Sequence, residues 1–319
     1  MKQIRIDTLL ATPQDEVTYQ SEWSLRAGFK GSGLLLLIAL FAGNLGPGLY
    51  MIGCFYKFEL GLLIAFGIVS IGYGLTHLLF LGRSERFWRA LLKPQNSWIS
   101  RGFLFATFFL IFGFLSVAHY LPWFNVGFLK IDAPGYNVIL GLGFISAFLL
   151  SLYPGFLFSC VKAIPFWNSG ILAPLFVVQS IGAGIALTFI LSHLPGAGIS
   201  GIDELLPYET VVISVSAVLI GIYLWGRSKK GGAGKVAVEQ LLYGRYRKVF
   251  LWGAMFCEII IPLVMALAAL MGLNAVFFAA AELIQLGGIF FFKYSLLNVG
   301  AYNELYNFDV MKASKERAG

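Results

Sequence analysis

Apolar residues run along this chain in long stretches, separated by short polar breaks, and these runs are continuous rather than alternating at every second position. An α-helix needs about 20 predominantly apolar residues to cross the hydrocarbon core of a bilayer. Eight stretches meet that length, at 33–56, 60–81, 102–121, 136–160, 171–194, 209–226, 248–272 and 275–297. Continuous runs favour helices over a membrane barrel, whose strands alternate. The expected fold is an all-α integral membrane protein of eight transmembrane helices, packed as two four-helix bundles. Three regions follow: an arm at 1–32, a transmembrane domain at 33–297 and a tail at 298–319. The arm has no short apolar core followed by a small-residue cleavage site, so the first span is expected to act as its own insertion signal.

Composition agrees. Of the 319 residues 58% are hydrophobic and only 12% charged, about half the charged fraction of ordinary soluble domains, and the mean hydropathy is +0.80. The formal charge of +7 might suggest nucleic acid, but its distribution assigns it to topology. With eight spans, 21 of the 23 Lys+Arg fall on one side, and only Lys57 and Lys130 on the other. Basic residues concentrate on the cytoplasmic side, so both termini are expected there and no nucleic-acid partner is needed. Lys293, one turn from the inner end of the last span, is counted inside as a residue able to snorkel. Nine acids fall on the inner side and five at or beyond the outer edge, while Glu258 and Glu282 fall well within spans.

Ionisable groups inside a membrane are costly, and each is a functional candidate. Near the outer face the pattern places Asn44, His119, Tyr120, His193, Glu282 and Gln285. Glu282 and Gln285 are three apart and share a helix face, so four spans deliver polar groups to a similar depth and suggest one outer pocket. Nearer the inner face lie Tyr73, His77, Tyr153, Gln179, Glu258 and Lys293; Glu258 precedes Pro262 by four, where the helix loses a backbone hydrogen bond. This inner set suggests a proton path through Glu258, His77, Tyr73 and Tyr153, or a structural network.

Other chemistries fit less well. Cys54, Cys160 and Cys257 are isolated and cannot supply the ligands of an iron–sulfur cluster or a structural zinc. Three histidines cannot hold two bis-histidine haems, and His119 and His193 lie at the extreme ends of their spans, so no haem is expected. Gly231-Gly232-Ala233-Gly234-Lys235 is followed by Val236 rather than Ser or Thr, which excludes a phosphate-binding loop.

Three stretches carry a resemblance. His77-Leu78-Leu79-Phe80-Leu81-Gly82-Arg83-Ser84-Glu85-Arg86-Phe87-Trp88-Arg89-Ala90, followed by Ser97-Trp98-Ile99-Ser100-Arg101-Gly102, resembles the second-loop signature of the NrfD/polysulfide-reductase membrane subunits. Phe41-Ala42-Gly43-Asn44-Leu45-Gly46-Pro47-Gly48 resembles that family's Gly-rich first span. Leu241 to Trp252, continuing to Ile261-Pro262-Leu263, resembles its loop before, and proline within, the seventh span. Membrane anchors of dimethyl-sulfoxide-reductase-type enzymes are near relations. Asn44 and Pro47 depart from the small residues more usual in the first span, and Ser84 stands where proline is more common.

The resemblance implies a haem-free subunit of a bacterial or archaeal cytoplasmic membrane that binds menaquinone or ubiquinone. Its electrons would pass to or from an iron–sulfur subunit serving a molybdopterin or multihaem catalytic subunit, with the clusters in the partner. A quinol site needs hydrogen-bond partners for two oxygens and a proton acceptor. His119 and Glu282 are the candidates for proton exchange, and Asn44, Gln285, Tyr120 and His193 for binding the ring. Two other classes stay open: a secondary transporter with helix breaks at Pro47 and Pro262, and a passive anchor for a redox complex.

Overall fold

Eight helices long and apolar enough to cross a membrane build the protein: Gly33–Tyr56, Glu59–Phe80, Trp98–Tyr120, Pro134–Ser159, Leu172–Ser192, Leu205–Lys229, Val249–Leu270 and Phe278–Asn298. They are seen in a computed structural model that describes residues 32–81, 84–121, 133–195, 197, 199, 201–272 and 275–300. No strand occurs among the described residues. The amino-terminal arm, Arg83, Lys130 and the tail beyond residue 300 lie outside them, as do the expected positions of both termini.

The helix ends follow local chemistry. The third span starts at Trp98, four residues earlier than the apolar run suggests, because Ser97 caps it and accepts the Ser100 N–H at 3.4 Å. The fourth begins on Pro134, whose missing N–H costs nothing in a first turn. The sixth starts at Leu205 rather than 209 for a similar reason: Pro207 falls in the first turn and does not interrupt the helix. That extension carries Glu209 from the outer edge into the span, where it is fully buried.

The first and fifth spans are the central ones, each with 72% of its apolar window buried, against 22% for the second and seventh. The first packs on the second, fourth and fifth; the third packs on the fourth; the sixth and eighth pack on the fifth, and the seventh packs on the sixth and eighth. Large apolar side chains turned outward, such as Phe55, Ile71, Trp225 and Trp252, form the surface that lipid covers.

Small residues bring the central pair into backbone contact. A Cβ on Gly48 would stand 1.8 Å from the Ser180 carbonyl oxygen, and one on Gly184 would stand 2.3 Å from that of Gly48. Asn44 locks the same contact: its Nδ2 donates to Phe176 O at 2.9 Å, and its backbone carbonyl accepts from Ser180 Oγ at 2.8 Å. Gly48→Ala is therefore expected to lower stability by at least about 2 kcal/mol, the clash being with backbone that cannot change rotamer. Thermal melting of the purified protein in one fixed detergent checks this.

Two spans are wound more widely than an α-helix, as π-helix over Ile68–Leu75 and over Val249–Ile260. Such turns occur often at functional positions. Here they carry Tyr73 and Glu258.

Candidate functional site

The polar residues of the spans gather in three places rather than in one outer pocket and one inner path. The first is a buried column between the fifth, sixth, seventh and eighth spans. Gln179 is its hub: its Nε2 donates to Glu258 Oε1 at 2.7 Å, and its Oε1 accepts from Lys293 Nζ at 2.7 Å. Ser216 Oγ also reaches Glu258 Oε1, at 3.3 Å. Farther out, Gln285 Nε2 donates to Glu209 Oε1 at 2.7 Å. Glu282 lies beside this pair, near enough to Glu209 for the two carboxyls to interact; both its oxygens lack a hydrogen-bond partner among the described residues.

Sequence spacing explains the column. Glu209 and Ser216, Gln179 and Gly182, and Glu282, Gln285 and Ile289 each repeat at helical intervals, so each span turns one polar edge inward. Gly288 lets the eighth span touch the seventh, since a Cβ there would stand 2.3 Å from the Glu258 backbone nitrogen. The column holds Glu209, Glu258, Glu282 and Lys293, all with at most 3% of their surface exposed. The spacing from Glu282 to Lys293 corresponds to about 16 Å of helix.

Lys293 does not snorkel. Its stem runs inward across the helix interface, because an acceptor and an aromatic face lie there: Nζ is 3.1 Å from the Phe176 ring centroid as well as bonded to Gln179. A cation over a ring in a dry interface is favourable. The residue therefore belongs with the buried acids and not with the inner surface charge.

The second group sits at the rim of the second and third spans that the charge distribution is expected to turn outward. Tyr120 donates its hydroxyl to Glu59 Oε2 at 2.8 Å, and His119 Nε2 stands 3.7 Å from the same oxygen. Both His119 ring nitrogens lack a hydrogen-bond partner among the described residues. The rings of Tyr120 and Tyr136 flank the imidazole, at 4.3 and 6.0 Å between centroids. Glu59 keeps 38% of its side chain exposed and His119 keeps 18%, so this group is reached from outside the bundle and the column is not.

The third group is the inner trio of Tyr73, His77 and Tyr153. The Tyr73 and Tyr153 hydroxyls lie near each other, and the His77 ring lies 4.5 Å from the Tyr73 ring. No hydrogen bond joins this trio to Glu258 among the described residues. His193 ends the fifth span alone, with Nδ1 2.8 Å from Phe189 O one turn back. Asn44 is committed to the backbone of the fifth span.

Glu282 and Gln285 thus stay together, His119 and Tyr120 stay together, and no hydrogen bond among the described residues joins the six outer residues into one group. Two residues enter that spacing does not single out. Glu59 stands at the start of its span, where an acid reads as an ordinary helix-terminal charge, and Glu209 reads as a residue of the outer edge. The apolar run continuing on the amino-terminal side of Pro207 is the available signal for Glu209. No group of three or more His, Cys, Asp or Glu placed to hold a metal ion occurs among the described residues.

Fold and site together define a multi-pass helical membrane protein with acids and a base buried between its helices and a polar cluster open at one rim. The family described as "Polysulphide reductase, NrfD" matches residues 33–303, and the protein belongs to that family. It is 27% identical to the "Protein NrfD homolog" of Haemophilus influenzae over 261 residues, covering 74% of this sequence and 80% of the relative. It is 28% identical to one polypeptide of the polysulfide reductase of Wolinella succinogenes over 252 residues, 73% of this sequence and 78% of that one. A shorter match, 29% over 176 residues, joins it to one of the subunits of the sulfite dehydrogenase of Allochromatium vinosum, covering 51% and 50% of the two sequences.

Proposed function

We propose that this protein is the quinone-binding membrane subunit of a respiratory redox complex in a bacterial or archaeal cytoplasmic membrane. It exchanges electrons with an iron–sulfur partner, which serves a molybdopterin or multihaem catalytic subunit. Family membership and the names of the relatives, which are components of a polysulfide reductase and a sulfite dehydrogenase, support the subunit part of this reading. The observation that carries the quinone part is the rim cluster, with two buried, unpartnered imidazole nitrogens beside a part-exposed carboxylate.

The residues fit a quinone headgroup, whose two oxygens need a donor when oxidised and an acceptor when reduced. Menaquinone or ubiquinone, when bound, supplies a two-electron, two-proton couple. His119 offers either a donor or an acceptor at each ring nitrogen. Tyr120 holds Glu59 by its hydroxyl, so the carboxylate stays next to the imidazole as a proton acceptor. Apolar walls of Phe and Leu on the neighbouring spans suit an isoprenoid tail.

The buried column supplies the second half of the reading. A passive anchor has no use for three desolvated acids, which are expensive in a membrane. Glu282, with Glu209 and Gln285, stores a proton on the outer side of the column, and Glu258 stores one on the inner side. In this reading the trio of Tyr73, His77 and Tyr153 is a separate cluster.

Extraction of the complex in mild detergent, followed by quinone analysis, tests the proposal. About one bound quinone per copy of this protein is expected, with an iron–sulfur subunit in the same particle; a particle that turns over with quinone-free substrates only would overturn it. Glu282→Gln is expected to slow quinone-linked turnover, by removing the proton stored on the outer side of the column, while the complex remains assembled, as judged by gel filtration. Unchanged turnover in that variant removes Glu282 from the mechanism.

A further inference from the structure

Between the two halves of the buried column lies a small cavity lined by Val178, Gln179, Gly182, Val212, Ser216, Glu258 and Gln285, among others. Its free volume of about 10 Å³ is about the room that one water molecule needs. Two of its wall residues each bring an oxygen with no hydrogen-bond partner among the described residues, Oε2 of Glu258 and Oε1 of Gln285. Both residues are buried, with 3% exposure each, so bulk water does not serve them. Gln179 has a second Nε2 proton to offer beyond the one it gives to Glu258.

We infer that this cavity binds one water molecule, which donates to Glu258 Oε2 and to Gln285 Oε1 and joins the two halves of the column into one hydrogen-bonded chain. The chain then runs from Glu209 through Gln285, the water, Glu258 and Gln179 to Lys293. The two amides transfer no proton, so the chain acts by holding Glu258, whose Oε1 accepts from the Gln179 amide and whose Oε2 accepts from the water. Gly182 keeps the space open: a Cβ there would stand 3.2 Å from Val212 Cγ1 and 3.3 Å from Gln285 Nε2. This deepens the proton-storing part of the proposed function and rests on it.

Infrared difference spectroscopy of the complex in lipid nanodiscs, in H₂¹⁶O against H₂¹⁸O, reads the water directly. An isotope-shifted O–H stretching band is expected in the unmodified complex, displaced by Glu258→Gln and lost in Val212→Ile and Gly182→Ala. Those two variants fill the cavity from two different spans. Should Gly182→Ala lower the melting temperature, Val212→Ile, which adds only a methylene, carries the test. Absence of the band from the unmodified complex, or its survival in a folded Val212→Ile complex, overturns the inference. So does a band that emerges only when sodium is replaced by choline, since a cation would then occupy the cavity. No readout here uses quinone, so loss of the water site and loss of the quinone reading are separate results.

Discussion

Complexes carrying His119→Ala are expected to lose at least about 100-fold in quinone-linked turnover, the usual scale for removing a group that transfers a proton in the rate-limiting step. The same complexes should pass electrons between the catalytic partner and a soluble dye at the normal rate, because His119 lies at the outer rim and touches no electron carrier of the partner in this reading. The expectation rests on the ring's position, 3.7 Å from Glu59 with both nitrogens unpartnered. Nothing else among the described residues occupies those nitrogens, so their removal deletes a function and not a brace. Tyr120→Phe should be milder, since it frees Glu59 without removing it. Equal quinone-linked and dye-linked rates in His119→Ala would remove the ring from the site.

The second large effect is on stability. Lys293→Met is expected to destabilise the protein by about 1–3 kcal/mol, the cost of leaving a buried acceptor without its donor. The variant strips Gln179 Oε1 of its donor and removes the cation from the Phe176 face, leaving Glu258 without the countercharge that Gln179 relays. Adding Glu258→Gln should restore most of the loss, because the remaining side chains are then neutral and of similar volume. Thermal melting of the single and double variants in one detergent measures the difference. A double variant no more stable than Lys293→Met would show that the two groups do not compensate each other.

These two residues illustrate how unevenly the sequence can be read. His119 is visible as a candidate because a histidine at the end of an apolar run is rare enough to notice. Its carboxylate partner is not, since Glu59 opens a helix, and an acid in a first turn already has an electrostatic reason to be there. Lys293 reads as surface charge because a long side chain one turn from a span's end normally reaches water. Only the position of Gln179 and Phe176 on another span gives it a better destination.

Length and continuity of the apolar runs determined the eight spans, because a helix must satisfy its own backbone in lipid and its span length is set by the bilayer. The order of short motifs likewise determined the family. Hydropathy does not record which faces meet. Six outer polar residues at similar depth were compatible with one pocket, yet the contact of the first and fifth spans through Gly48 and Gly184 places the first span, and Asn44 with it, in the centre. Tertiary packing therefore decided that His119 and Tyr120 stand apart with Glu59, and that Glu282 and Gln285 join Glu209. It also decided that Glu258 faces Gln179 and Lys293, because hydrogen-bond partners across helices are chosen by rotation and approach, which depth along a span leaves free.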